Sequence, residues 1–310
     1  MPNPRLLLTA LIATLCLNGL PAFAGGEGWT EDFEAAKTQA GEEKKDLLLD
    51  FTGSDWCGWC IKLVDEVFSK DEFKAYAKEN LVLVELDFPR DKSKISEETQ
   101  AQNNKLKDVY AIRGYPTIYL TDNQGRPYAK TGYKRGGPEA YIAHLEELKK
   151  VRVTRDGHMA KADEAEGLEK AKHLHAAMQA VGDDVAMQHY KETVQQIIAL
   201  DTDNEAGLKK HYEDYETAKA QRGVIEKAMR SAQADPKDAI AKLDDLANGE
   251  DTVKSIKQEA LALKSRIQLI LLKDKEAAKV TFIQAIEADP ESEMADSLRK
   301  VQAQVFGEGS

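Results

Sequence analysis

Two apolar runs stand out in the first half of the chain. Leu47-Leu48-Leu49-Asp50-Phe51 and Leu81-Val82-Leu83-Val84-Glu85-Leu86 are short and almost unbroken, the pattern of strands buried on both faces. Thr30, followed by Glu31, Asp32, Phe33 and Ala36, predicts a capped helix before the first run. Between the runs, Ile61 to Phe68 is amphipathic, and Ser69-Lys70-Asp71-Glu72 has the form of a capping box before a short helix carrying Phe73 and Tyr76. Residues 91–102 are polar, and a helix is predicted towards Tyr110. Thr117-Ile118-Tyr119-Leu120 after Pro116, the turn Asp122-Asn123-Gln124-Gly125, and Tyr128 to Gly132 predict a hairpin. Gly137-Pro138-Glu139 then opens a helix with Tyr141, Leu145 and Leu148 on one face. The order α-β-α-β-α-β-β-α predicts one sheet covered by helices on both faces.

Beyond about Gly157 the spacing is helical throughout. Met187, Tyr190, Val194 and Ile197 share one face, as do Leu263, Ile267, Ile270 and Leu271. Asp201-Thr202, Asp235-Pro236 and Asp289-Pro290 each separate helical runs. The first two lie 34 residues apart, the tetratricopeptide period, but the third is 54 further on. Irregular tetratricopeptide-like hairpins and a plain helical bundle both suit this pattern. The expected domains are residues 25–153, an α/β fold, and residues 158–310, an all-α domain.

Residues 1–24 have the form of an export signal. Arg5 precedes the apolar stretch Leu6 to Leu17, and Ala22-Phe23-Ala24 is a small-x-small cleavage site. The stretch is too short to span a bilayer. Loss of this segment removes Arg5 and Cys16, moving the net charge from −11 to −12 and leaving two cysteines. An acidic chain is a poor partner for nucleic acid or an anionic membrane surface.

Those two cysteines lie in Trp56-Cys57-Gly58-Trp59-Cys60, between an apolar run and an amphipathic stretch. Thiols three residues apart in a βαβ pattern read as a redox motif. The same spacing suits half of a zinc site or a structural disulfide. Zinc needs two further ligands, and the six histidines (144, 158, 173, 175, 189 and 211) are distant and lack paired spacing. A disulfide closing so small a loop adds little stability.

Three features in order carry a family resemblance: Asp50-Phe51, the Trp56–Cys60 motif, and Gly114-Tyr115-Pro116-Thr117 before a late strand. With them, residues from about Trp29 to Lys150, some two fifths of the chain, resemble the thioredoxin superfamily. The last feature is similar to the Gly-Tyr-Pro-Thr of protein disulfide isomerase domains. The motif most resembles that of secreted or periplasmic bacterial thioredoxin-like proteins. The Gly-Trp pair between the cysteines departs from the Gly-Pro of thioredoxin and the Gly-His of the isomerases. Thr52 to Asp55 is also one residue longer than thioredoxin's link.

The resemblance implies a thioredoxin fold with Cys57 as the nucleophile, the more exposed thiol, at a helix N-terminus where its thiolate is stabilised. It implies Cys60 as the buried resolving thiol, and Asp50 as acceptor of the Cys60 proton through buried water. Pro116 is implied to be cis, facing the cysteines, with Tyr115 offering its backbone to an extended substrate. Trp56, Gly58 and Trp59 complete the implied substrate-binding surface, although both tryptophans also suit a core. Alternatives are a solvent-facing or lysine-paired Asp50 and a trans Pro116. Cysteine chemistry needs no dissociable cofactor. The expected activity is exported thiol–disulfide exchange on cysteine-containing proteins, slightly favoured as reduction, with a separate redox partner. The rival is a client-binding protein whose helical half carries function on a thioredoxin-fold scaffold.

Overall fold

In the computed structural model, which describes Gly26 and residues 28–307, five strands form one mixed sheet. They are β1 (Trp29–Thr30), β2 (Asp46–Thr52), β3 (Leu81–Asp87), β4 (Thr117–Thr121) and β5 (Pro127–Thr131), in the order β1-β3-β2-β4-β5. β3 runs parallel to β1 and β2, whereas β4 runs antiparallel to β2 and β5. β2 is therefore hydrogen-bonded along both edges, and all seven of its residues are buried. That is why its sequence reads as a continuous apolar run. The export-signal expectation for residues 1–24 lies outside the described residues.

Strand alternation divides β2 between two cores. Leu47, Leu49 and Phe51 pack with Phe33 and Ala36 of helix α1 (Phe33–Glu43) and Leu106 of helix α4 (Glu97–Val109), beside Tyr110. Leu48, Asp50 and Thr52 face the other way. On that side, Trp29 stacks on Phe68, which also meets Phe73 and Tyr141 at ring separations of 4.8 and 5.9 Å. Phe73 belongs to α3 (Asp71–Asn80), and Tyr141 to α5 (Gly137–Asp163). Phe68 ends a π-helical turn, Val64–Phe68, that prolongs α2 (Gly58–Leu63).

Two predicted caps are corrected. Thr30 pairs in β1, and Asp32 caps α1 instead, its carboxylate accepting from Ala35 N at 2.9 Å. Ser69 does not cap α3. The preceding helical turn holds it at φ −79°, ψ −10°, which denies it the extended conformation an N-cap needs, and its hydroxyl donates back to Asp65 O.

The chain divides into two compact units, Met1–Arg152 and Val153–Ser310, the division falling within α5. The second unit is all helix: α6 (Gly167–Val181), α7 (Asp183–His189), α8 (Lys191–Leu200), α9 (Leu208–Ser231), α10 (Pro236–Asn248), α11 (Lys254–Ile270), α12 (Lys275–Ala288) and α13 (Glu293–Phe306). Thus a mixed sheet flanked by helices precedes a helical region, the expected fold class. The three Asp signals fall at helix boundaries. Asp201 ends α8 and accepts from Leu208 N at 2.8 Å, Asp235 caps α10 ahead of Pro236, and Asp289 follows α12.

Two apolar faces differ from expectation. The Met187–Ile197 face is buried at Tyr190, Val194 and Ile197, but the helix breaks at Tyr190. In the Leu263–Leu271 face, Ile267 is buried while Ile270 and Leu271 are exposed, because α11 ends there.

Phe68 is fully buried among three aromatic rings, so Phe68→Ala is expected to cost the first unit about 3–5 kcal/mol. All three tryptophans (29, 56 and 59) lie in that unit, so the lowered midpoint of the fluorescence-detected urea transition measures the loss.

Candidate functional site

The motif grows from the C-terminal end of β2. Gly53 turns the chain: its carbonyl accepts from Trp56 N at 3.2 Å and Cys57 N at 2.9 Å. The Trp56 ring lies so close that a Cβ on Gly53 would meet it at 2.6 Å. Only glycine fits there without moving that ring. The two residues after Gly53 tie this loop to the end of β3. Ser54 donates through N and Oγ to Asp87 at 2.8 and 2.5 Å. Asp55 accepts from Arg90 N and Asp91 N at 2.9 and 3.1 Å and pairs with Lys94. These amide bonds, with the lysine, hold the Asp55 carboxyl down to about 2.

Cys57 caps α2, and its sulfur accepts from Cys60 N at 3.2 Å. The two cysteines are joined in a disulfide, their Cα atoms 5.2 Å apart. Both are buried, Cys57 at 6% exposure and Cys60 at 2%, so closure of the disulfide leaves little difference between them. Gly58 is exposed, with open space where a Cβ would stand.

The tryptophans take different surroundings, and neither is core: Trp56 is 37% exposed and Trp59 is 53% exposed. Trp56 donates from Nε1 to Phe88 O at 2.8 Å, and its ring meets Tyr115 edge-on at 5.6 Å, with Arg90 over it. Tyr115 also stacks on Phe88. Three loops are thereby locked around one aromatic group. Trp59 leans on Tyr133 at 5.1 Å, and the Lys62 ammonium lies over both rings. Tyr133 in turn donates to Glu66 at 2.6 Å.

The Tyr115–Pro116 bond is cis. Pro116 and Tyr115 join Trp59, Tyr133 and Arg135 in lining an open cleft of about 420 Å³. Gly132 lets the chain after β5 pass the Pro116 carbonyl, which would stand 3.1 Å from a Cβ there. The cleft therefore unites three residues, Trp59 of the cysteine motif and Tyr115 and Pro116 of the later loop, with the chain that follows β5. Tyr133 and Arg135 were not foreseen, because nothing in their local sequence shows that the hairpin returns beside Pro116.

Asp50 is buried, 4% exposed, rather than facing solvent, and forms no ion pair with a lysine among the described residues. Its Oδ1 has no hydrogen-bond partner among the described residues. Burial, then the carboxylates of Glu85 and Asp87, push its carboxyl well above the usual aspartate range. Tyr141, on the same side of the sheet, feels the Asp50 charge and is itself pushed up, chiefly by burial. Glu85 and Asp87 are site residues that the apolar β3 run did not announce. Among the described residues, no cluster of His, Cys, Asp and Glu side chains is arranged to hold a metal ion.

The first half of the chain is similar to known proteins. The family described as thioredoxin-like domain matches residues 33–149. Disulfide bond reductase DsbH of Chlamydia pneumoniae is 36% identical over 132 residues, 43% of this chain and 78% of that protein. Thioredoxin-related protein DsbJ of the same organism is 29% identical over 130 residues, which are 39% of this chain and only 37% of DsbJ. A solved structure titled DsbH Oxidoreductase shares 32% identity, covers 48% of this chain and 95% of its own, and superposes with a TM-score of 0.38.

A carboxyl that binds its proton more tightly when folded weakens the fold once that proton is lost. Below the ordinary value of 3.8 both folded and unfolded chains keep the Asp50 proton; above it the folded state binds more, so stability falls until the raised native value is passed. Asp50→Asn is therefore expected to stabilise the disulfide-closed protein at pH 7 and to match the parent near pH 3. Denaturant midpoints across that range check it, and equal midpoints at every pH would refute it.

Proposed function

This chain belongs to the thioredoxin superfamily, and on that premise we propose that it is an exported disulfide reductase in which Cys57 attacks and Cys60 resolves. Thiol–disulfide oxidoreductase activity follows from the family and the Cys57–Cys60 pair. The direction is taken from the disulfide bond reductase that it resembles, and export from the form of residues 1–24. One observation carries the assignment of roles: the Cys57 sulfur sits at the start of α2 with the Cys60 amide directed at it. An amide donor and a helix N-terminus both favour a thiolate at that atom.

In the dithiol form, the Cys57 thiolate attacks a client disulfide, and one client sulfur leaves. Cys60 then gives up its proton, with Asp50 as the acceptor, and attacks Cys57 Sγ. The second client thiol departs and the Cys57–Cys60 disulfide closes. The client has gained two electrons and two protons, which a dithiol reductant must replace before the next cycle. Trp59, Tyr115 and Pro116 border the cleft that receives the client's extended segment, and in this reading Trp56 and Gly58 complete the client-binding surface. In this reading the helical region from residue 158 onward recruits partners.

Cys57→Ser is expected to abolish reduction of a protein disulfide, whereas Cys60→Ser should accumulate mixed disulfides resolvable on non-reducing gels. Equal trapping by both variants would overturn the assignment. The reduction potential of the pair, equilibrated against dithiothreitol, tests direction. A reductase is expected near about −270 mV, and a value near about −120 mV would make the protein an oxidant instead.

A further inference from the structure

Asp50 and Glu85 are direct register partners on adjacent parallel strands, so both side chains leave the sheet on the same face. Each is only 4% exposed. The partner of Asp50 on the opposite edge is Ile118, which offers no charge. Asp87 lies two residues along on the same face, but its carboxylate is engaged by Ser54 N and Oγ. Tyr141 of α5 faces the same carboxyl and carries no charge at neutral pH. Asp50 Oδ1 is buried without a hydrogen-bond partner among the described residues. Burial and the neighbouring carboxylate both oppose ionisation of Asp50, and a proton on the pair relieves that opposition.

We propose that Asp50 and Glu85 form a carboxyl pair holding one proton at neutral pH while the Cys57–Cys60 disulfide is closed. Glu85 is a positioning residue that acts through Asp50. Its link to exchange rests on the reading of Asp50 as proton acceptor for Cys60. When a dithiol reductant opens the disulfide, Cys60 Sγ leaves as a thiolate and takes that proton: an O–H bond breaks at the pair, and an S–H bond forms. On reclosure the proton returns. Glu85 thus resists loss of the proton until a sulfur is ready to receive it, and sets the pH at which Asp50 is free to accept one.

Infrared titration of the oxidised full-length chain tests the pair without any client. The protonated-carboxyl band is expected to persist at pH 7 in the parent. Either Glu85→Gln or Asp50→Asn should remove it or lower its midpoint by about one pH unit or more. Absence of the band from the parent at pH 7, or an unmoved midpoint in the variants, would overturn the proposal. If Glu85→Gln fails to fold, the parent and Asp50→Asn spectra decide the matter between them. In the reduction assay, Glu85→Gln should also shift the acidic limb of the pH profile downward, whereas a merely structural role would scale the rate at every pH. A chain inactive on all disulfides would sink the reductase reading and leave the infrared result standing.

Discussion

Everything at the candidate site is referred to one strand. β2 is paired along both edges and buried on both faces, so its register cannot slip without exchanging two cores. A shift of one residue would carry Leu47, Leu49 and Phe51 into the aromatic side of the sheet and Asp50 into the other. The C-terminal end of this fixed strand delivers Gly53 and the turn that presents Cys57 at the start of α2. Rigidity there is what allows a short loop to hold a reactive disulfide in place.

The strand also explains how three separate loops reach the same place. Parallel β3 ends beside β2, which brings Asp87, Phe88 and Arg90 to the motif. Antiparallel β4 begins there, which brings Tyr115 and Pro116. Ser54 and Asp55 carry the bonds from the motif loop to the end of β3 and the loop after it. This loop is therefore held by specific contacts rather than left slack. Asp55 meets backbone amides and a lysine, so it stays charged without the burial that Asp50 undergoes.

Much of this was legible in the sequence. The runs at Leu47 and Leu81 were visible because double-sided burial leaves few polar positions, and the Asp122–Gly125 turn fixed the hairpin by its residue types. The cysteine motif, Asp50, Pro116 and the flanking aromatics declared themselves through local pattern and resemblance. Partners that depend on tertiary return did not: Tyr133 and Arg135 reach the cleft only because β5 lies next to β4. Ser69 misled for a related reason, since a capping-box pattern cannot act when the residue is already held in the preceding helical turn. In the second unit the helical spacing located the elements, but the break at Tyr190 and the early end of α11 depend on packing that periodicity does not encode.

Burying Asp50 beside Glu85 is a cost that a purely structural sheet would avoid. Apolar side chains at the same positions would remove both the desolvation penalty and the like-charge repulsion. Elsewhere on that face Leu48, Leu83, Ile118 and Leu120 are buried apolar side chains, and the carboxylate of Asp87 is held by Ser54. Asp50 and Glu85 lie on the stretch of sheet that runs into the cysteine loop. Two adjoining acids on neighbouring strands, at a place where a buried proton has a use, are better accounted for by proton handling than by folding.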